Sequence, residues 1–277
     1  MTKAQRHKAI IRRRIFLSVC AVILAAVILL IVFAVKAVMS GGEKDNNSSE
    51  VSSVQSDSVS DVSEVSSEQP STPSYPATGP NGLDANYTKL LLVNGENPLP
   101  EDYDYEGNLT TIPDKYINGS LKQIDKDVWP YMQAMIEAAW ADGVKLYVWS
   151  PYRSYSTQNM LFKKQVDRQI AKGVPADKAE DEAATVVARP GTSEHHTGLA
   201  ADFNMADDKF ETTEMYTWMQ QHAADYGFIM RYSGEKQEIT GVIHESWHYR
   251  FVGINAAKEM NRLNMCLEEY VEYLNKQ

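Results

Sequence analysis

The sequence predicts an α+β domain over residues 86–277, with a small antiparallel sheet flanked by helices. Short strand-like segments alternate there with helical ones, but without the regular strand–helix–strand units of a parallel sheet. The 21 residues of 15–35 carry no charge, and residues 41–85 are rich in serine and acidic side chains. Because neither composition suits a globular core, both stretches are placed outside the folded domain.

The uncharged stretch predicts a transmembrane anchor over residues 15–36. At about 1.5 Å per residue, a helix of this length spans the roughly 30 Å hydrocarbon core of a bilayer. Three arginines at 12–14 precede it, so we expect residues 1–14 to be a cytoplasmic tail and the rest to lie outside the membrane. A cleaved signal peptide is the alternative, but no convincing small-residue cleavage site follows the stretch.

Residues 37–85 are predicted to be a disordered linker, because their low hydrophobicity cannot offset the entropy of ordering. Residues 1–36 hold seven basic side chains and no acidic one, which leaves 20 basic and 37 acidic residues for the remainder, a net charge of −17. An exterior this acidic argues against nucleic acid as a partner. Cys20 lies in the uncharged stretch and Cys266 lies far downstream in the predicted domain, so a structural disulfide between them is not expected.

The first half of the domain is expected to contain two strands and two helices. Residues 90–93 predict a short strand before a turn rich in Asn, Gly and Pro. Apolar residues recur at helical spacing over 126–141, and the apolar run 144–149 is typical of a buried strand. Ser156 is a plausible N-cap for a helix that continues to about residue 172.

The second half predicts three further strands and three helices. Residues 175–188 have an acidic first turn, which the helix dipole favours, and 214–226 are amphipathic and end at Gly227. A single closing helix is expected at 254–274. The strands are expected at 199–203, 228–232 and 247–252.

Two clusters of histidine and carboxylate residues overlap the strands predicted at 199–203 and 247–252. Four of the six histidines fall within residues 193–202 and 244–248. Neutral imidazole and carboxylate groups are the ligands of a catalytic zinc, which keeps a fourth position open for water. A further carboxylate beside such a site can take a proton from that water.

The pattern Ser-x-His-x-x-Gly-x-Ala-x-Asp at 193–202, followed by Glu-x-Trp-His at 245–248, resembles the VanY-type zinc D-alanyl-D-alanine carboxypeptidases. That family is grouped with lysostaphin-like peptidases and the hedgehog signalling domain. The resemblance implies Zn²⁺ as the cofactor and Glu245 as the general base. It implies three metal ligands, His195, Asp202 and His248.

A third stretch, residues 152–158, resembles the family's Tyr-Arg-Ser…Gln signature. The resemblance implicates Arg153 in stabilising the developing oxyanion or in binding the substrate carboxylate, which suits a side chain that is always charged. A surface salt bridge is the alternative for this arginine. The residues assigned to substrate binding are Tyr152, Gln158 and Ser193.

Other polar residues of these motifs receive minor roles. No activating base accompanies Ser193 in a triad-like pattern, so it is not read as a nucleophile. His196 and His244 have no place in the resemblance and are expected to support the ligands or to face solvent. His222 lies in a helical pattern and is not expected to be functional.

The resemblance implies a membrane-anchored, extracytoplasmic carboxypeptidase, in a Gram-positive bacterium, that removes the terminal D-alanine of peptidoglycan stem peptides ending in D-Ala-D-Ala. We expect a monomeric catalytic domain whose partners are the stem peptide and, through residues 15–36, the membrane. An L,D-carboxypeptidase acting on tetrapeptide stems is the alternative within enzymes. A third possibility is a zinc-containing module that binds cell-wall peptide without catalysis, but the presence of Glu245 and Arg153 argues against it. A purely structural metal is a further alternative, and three mixed nitrogen and oxygen ligands argue against that one, because structural zinc sites have four protein ligands.

Overall fold

The computed structural model of the protein describes residues 75–100, 102–104 and 106–277. The predicted tail 1–14, anchor 15–36 and most of the linker 37–85 lie outside this part of the chain. Among the helices that are described, none has both the length and the apolar character needed to cross a bilayer.

The described chain forms six strands and seven α-helices, with short 3₁₀ helices between them. The strands are β1 (Leu109–Thr111), β2 (Gln123–Asp125), β3 (Val148–Ser150), β4 (Ala200–Phe203), β5 (Phe228–Tyr232) and β6 (Glu245–Phe251). The helices are α1 (Trp129–Ala141), α2 (Tyr155–Ala171), α3 (Ala176–Ala184), α4 (Glu214–His222), α5 (Gln237–Thr240), α6 (Ile254–Leu263) and α7 (Leu267–Asn275). The 3₁₀ helices are Pro80–Gly82, Asp114–Tyr116, Glu194–Thr197, Asp208–Thr212, Ala223–Tyr226 and Gly234–Lys236.

The strands form two antiparallel sheets, which confirms the predicted α+β class. The larger sheet has the order β3-β4-β6-β5, and β1 pairs with β2 in a separate ribbon. The two central strands of the larger sheet, β4 and β6, therefore lie side by side although they are far apart in sequence. The ribbon strands were not predicted, because three residues are too few to display an alternating pattern.

The core lies on one face of the larger sheet. Because side chains alternate between faces along a strand, Phe203 on β4 and Tyr249 and Phe251 on β6 share one face, and all three are buried in a single cluster with Met135 and Ile136 of α1. Full burial of a side chain of this size contributes about 1.5–3 kcal/mol. The opposite face is left for polar residues.

The folded region begins before residue 86, within the predicted linker. Ala85 is fully buried, its amide donates to the carbonyl of Ala77, and Thr78 forms a β-bridge with Asp84. Tyr75 donates a hydrogen bond to Glu259 at 2.6 Å. Residues 75–85 thus form a packed turn at this end of the predicted linker.

The strand predicted at residues 90–93 does not form. The carbonyl oxygens of Lys89 and Leu91 accept hydrogen bonds from Nη2 of Arg250, at 3.2 and 2.7 Å. A buried guanidinium therefore satisfies the backbone acceptors that a neighbouring strand would otherwise bind.

Two helix boundaries also differ from the predictions. Helix α2 begins one residue after Ser154, whose Oγ accepts from the amide of Thr157, so Ser154 rather than Ser156 is the N-cap. The predicted closing helix is two helices, because Asn264 adopts a left-handed conformation with φ 52° and ends α6. Asparagine tolerates that conformation better than most residues, and a capping box from Cys266 and Glu269 starts α7.

Gly198 forms a tight turn between the first two candidate ligands, His195 and Asp202. Its φ is 67°, and a Cβ placed there would lie 2.7 Å from the backbone nitrogen of Asp125. The same nitrogen donates to the carbonyl of Gly198 at 3.1 Å. The glycine therefore lets the turn approach the backbone of β2 closely.

We expect Gly198→Ala to lower the free energy of unfolding by more than the ~1–2 kcal/mol of left-handed strain alone, because the added methyl also overlaps the β2 backbone. Gly241→Ala is the matched control, since Gly241 has a φ of 71° and nothing within 4 Å of an added Cβ. Urea unfolding of both variants measures the difference. Equal destabilisation would show that the close approach to β2 has no energetic role.

Candidate metal centre

Three polar residues form a row across the open face of the sheet. In the antiparallel register, Asp202 on β4 lies opposite Ser150 on β3 and opposite His248 on β6. Residues opposite each other in a sheet share one face. Asp202 is therefore the centre of the row, with a hydroxyl on one side and an imidazole on the other.

His195 reaches the same row from the 3₁₀ helix at 194–197. Its Nδ1 lies 2.8 Å from the carbonyl oxygen of Pro151, which makes Nδ1 the donor and leaves Nε2 as a lone-pair ligand. That Nε2 lies 3.5 Å from Oδ1 of Asp202. The rings of His195 and His248 are 4.8 Å apart and nearly perpendicular. Their nitrogens converge on the Asp202 carboxylate.

These three residues fit a zinc ion. One ligand atom from each of His195, Asp202 and His248 lies within 4.8 Å of the others, and all three residues are buried. Nδ1 of His248 is 3.1 Å from the Oδ1 of Asp202 that also faces His195. Tetrahedral zinc with bonds of about 2.0–2.2 Å separates its ligand atoms by about 3.3 Å. The two distances to Oδ1 of Asp202, 3.5 Å from His195 and 3.1 Å from His248, are close to this separation, and the donor types match those of zinc sites.

The electrostatics of the two imidazoles agree with this fit. Burial, with the Arg153 guanidinium nearby, lowers the pKa of His195 to about 4, so this ring is neutral at physiological pH. At His248 burial acts in the same direction, but hydrogen bonds to Asp202 and Glu194 outweigh it and raise the pKa to about 9. The pocket therefore favours a cation at Nδ1 of His248, a position that Zn²⁺ can take in place of a proton.

A bulge in β6 places Glu245 near the candidate ligands His248 and Asp202. Met230 pairs with Tyr249, but Tyr232 pairs with Glu245, so β6 contains two more residues than β5 over this interval. Residues three apart on a regular strand would face opposite sides. Burial raises the pKa of Glu245 to about 7, with His248 opposing the rise and Asp202 adding to it.

Arg153 lies at the rim of the row and contacts the candidate ligand Asp202. Its Nη2 is 2.5 Å from Oδ2 of Asp202, while its Nε donates to Oγ of Ser150 at 2.9 Å. Asp202 thus directs one oxygen to the imidazoles and the other to the guanidinium. Within the described residues, these contacts and one to Gln158 use three of the five donors of Arg153.

The three predicted substrate-binding residues are all buried near this row. Gln158 accepts from Nη1 of Arg153 at 3.4 Å and donates to the carbonyl of Ala188 at 2.7 Å. Its amide is therefore engaged in holding Arg153. Ser193 precedes the 3₁₀ helix that carries His195, and the amide of Tyr152 donates to the carbonyl of Gln123.

The three other histidines of the described residues lie outside the proposed ligand set. His196 is buried, with Nδ1 2.8 Å from the carbonyl of Arg153 and Nε2 accepting from the amide of Gly191. It supports the loop that carries Arg153. His244 is partly exposed and pairs with Glu211, and His222 packs on the ring of Trp218.

A buried charge network behind His248 was not predicted. Glu194 accepts from Nε of Arg231 at 2.8 Å and from Nη1 of Arg250 at 2.9 Å, and its second oxygen lies 3.3 Å from Nε2 of His248. Arg231 also binds Glu268. One signal could have indicated part of it, because Arg250 follows His248 by two residues and so shares its face of the strand.

Comparison with known proteins finds similar chains that are described as carboxypeptidases. A family model described as VanY, D-alanyl-D-alanine carboxypeptidase, matches residues 121–254. A D-alanyl-D-alanine carboxypeptidase of Enterococcus faecalis is 42% identical over 195 residues, covering 70% of each chain. The putative carboxypeptidase YodJ of Bacillus subtilis is 36% identical and covers 68% of each.

Solved structures show the same fold. A VanY D,D-pentapeptidase mutant in complex with Zn(II) is 42% identical, with a TM-score of 0.58 over 66% of this chain and 98% of that one. VanYB in complex with D-alanine-D-alanine has 43% identity and the same score, over 66% and 97%. The LdcB LD-carboxypeptidase is 36% identical, with a TM-score of 0.57 over 65% and 84%.

Proposed function

Because this chain belongs to the VanY family of D-alanyl-D-alanine carboxypeptidases, which are zinc metallopeptidases, we propose that His195, Asp202 and His248 hold its zinc. We further propose that the enzyme removes the terminal D-alanine of peptidoglycan stem peptides. The observation that supports the ligand set most strongly is the convergence of three buried donor atoms within 4.8 Å. When bound, the zinc would lower the pKa of a coordinated water and polarise the scissile carbonyl.

Glu245 is the proposed general base. A carboxylate with a pKa of about 7 is poised both to take the proton of the attacking water and to return it to the leaving amine. The bulge in β6 brings it to the ligand His248. No other role in the proposed reaction requires a partly buried carboxylate at this position.

Arg153 is proposed to act on the substrate with its remaining donors. Ser150, Gln158 and Asp202 fix the guanidinium at the rim, so its charge is oriented before the substrate arrives. The contacts to the described residues use three of the five N–H donors of Arg153, which leaves two for a substrate. They suit either the oxyanion that develops at the scissile carbonyl or the free carboxylate of the terminal D-alanine.

We also propose that residues 15–36 anchor the enzyme and that the catalytic domain lies outside the membrane. The uncharged stretch of 21 residues and the arginines before it support this orientation. The full chain should stay in the membrane fraction after alkaline extraction, and protease added to intact protoplasts should digest the catalytic domain. Release at alkaline pH would argue against the anchor, and protection from protease would argue against the orientation.

Glu245→Gln should retain one zinc per chain and lose about 10²- to 10⁴-fold in turnover, because an amide cannot accept the proton of the water. Turnover is measured by D-alanine release, and zinc by elemental analysis of the same preparation. Glu238→Gln, a change at an exposed position of α5, is the control and should keep normal turnover. Near-normal turnover in zinc-loaded Glu245→Gln would remove Glu245 from this role.

The substrate is tested with three stem peptides and the full chain in detergent, with and without chelator. A pentapeptide ending in D-Ala-D-Ala should lose one D-alanine about ten- to hundredfold faster than its C-terminal amide, because a charge-assisted contact to the carboxylate contributes ~1.5–3 kcal/mol. Equal rates would exclude carboxylate recognition. Cleavage of the tetrapeptide alone would establish the L,D activity instead.

A further inference from the structure

The carboxylate of Glu194 is the most completely enclosed acidic group near the candidate zinc site. The residue is 1% exposed, and the two arginines that it binds, Arg231 and Arg250, are 1% and 0% exposed. A buried carboxylate is costly unless its charge is compensated. None of the steps proposed above uses this group, so its placement needs a different explanation.

The two oxygens of Glu194 have separate partners. Oε1 accepts from Nε of Arg231 at 2.8 Å and from Nη1 of Arg250 at 2.9 Å. Oε2 lies 3.3 Å from Nε2 of His248. Since an ionised carboxylate only accepts hydrogen bonds, Nε2 of His248 is the donor in this contact. When the ring is neutral, as a metal ligand must be, its one proton is therefore held on Nε2, away from Asp202, and Nδ1 is left as the ligand.

The orientation of the Glu194 carboxylate is fixed by charges beyond it. Arg231 binds both oxygens of Glu268 with Nη1 and Nη2, at 2.9 and 2.6 Å, and it binds Glu194 with Nε. Arg250 is held in turn by backbone carbonyls, including that of Leu91 at 2.7 Å. Neither guanidinium can turn without breaking these contacts, so both stay on Oε1.

We propose that Glu194 is a positioning residue that selects the metal-binding tautomer of His248, and that the Arg231–Glu268 pair at the start of α7 holds Glu194 in place. The inference rests on the proposed assignment of His248 as a zinc ligand. Groups that orient a ligating histidine in this way typically contribute ten- to hundredfold to metal affinity.

Glu194→Gln tests the proposal because an amide has one acceptor and one donor end. The two arginines should hold the amide oxygen, which turns the NH₂ group toward Nε2 of His248. That arrangement favours the tautomer with its proton on Nδ1, where the metal must bind. We expect the zinc dissociation constant, measured on the full chain by chelator competition at one fixed pH, to rise about ten- to hundredfold.

A second readout separates positioning from stability. In the zinc-loaded wild type, NMR of the labelled histidine rings should show an Nε2 proton on His248 that exchanges slowly with solvent. Glu194→Gln should lose this protection. Glu194→Asp keeps the charge that the arginines need but is shorter by one methylene, so it should fold and still bind zinc more weakly. This variant keeps the test decisive if Glu194→Gln does not fold.

Glu269→Gln is the control for a glutamate-to-glutamine change next to this network. Glu269 neighbours Glu268 in α7, but it binds Lys236 and the amide of Cys266 instead of Arg231. This variant should lose stability without changing zinc affinity. If the folded Glu194 variants bind zinc as tightly as the wild type, or keep the protected Nε2 proton, the proposal is wrong. His248→Ala tests the underlying assignment separately, because full zinc occupancy there would show that His248 is not a ligand.

Discussion

The Asp202 carboxylate is almost completely buried, and its ionised state depends on compensating charge. Burial alone would raise the pKa of Asp202, but the neighbouring His195 and Arg153 outweigh burial and hold it well below its usual range. Both oxygens are used, one toward the two imidazoles and the other toward the guanidinium. The backbone of Asp202 is equally constrained, because it pairs with strands on both sides. Asp202 therefore takes part both in the pairing of the three neighbouring strands and in the charge balance of the site.

The parts of the site that the sequence predicted are those encoded in short motifs. Asp202 and His248 could be proposed as ligands because each lies in a compact pattern, at 193–202 and 245–248. The α+β class followed from the mixture of short strands and helices. The bulge in β6 could not be predicted, since it depends on how β5 pairs with that strand.

The charge network behind the ligands shows the limit of local patterns. Arg231 contacts Glu194 and Glu268, each 37 residues away in sequence, and no motif joins the three. Arg250 has a similar long-range effect, because it replaces the strand expected at 90–93 with side-chain hydrogen bonds. Such contacts exist only after the chain has folded. A sequence pattern therefore indicates which residues meet the metal more readily than which residues orient them.

The strand order β3-β4-β6-β5 also makes the proposed zinc a cross-link of the fold. Asp202 and His248 are 46 residues apart in sequence, so an unfolded chain has no preformed site, and the metal binds the native state selectively. Cys266, the described cysteine, is free and buried, and no disulfide reinforces the described part of the chain. Once zinc exceeds its dissociation constant, each further tenfold rise in free zinc adds about 1.4 kcal/mol to the folding free energy. The stability of this domain then depends on the free zinc concentration around it as well as on its own packing.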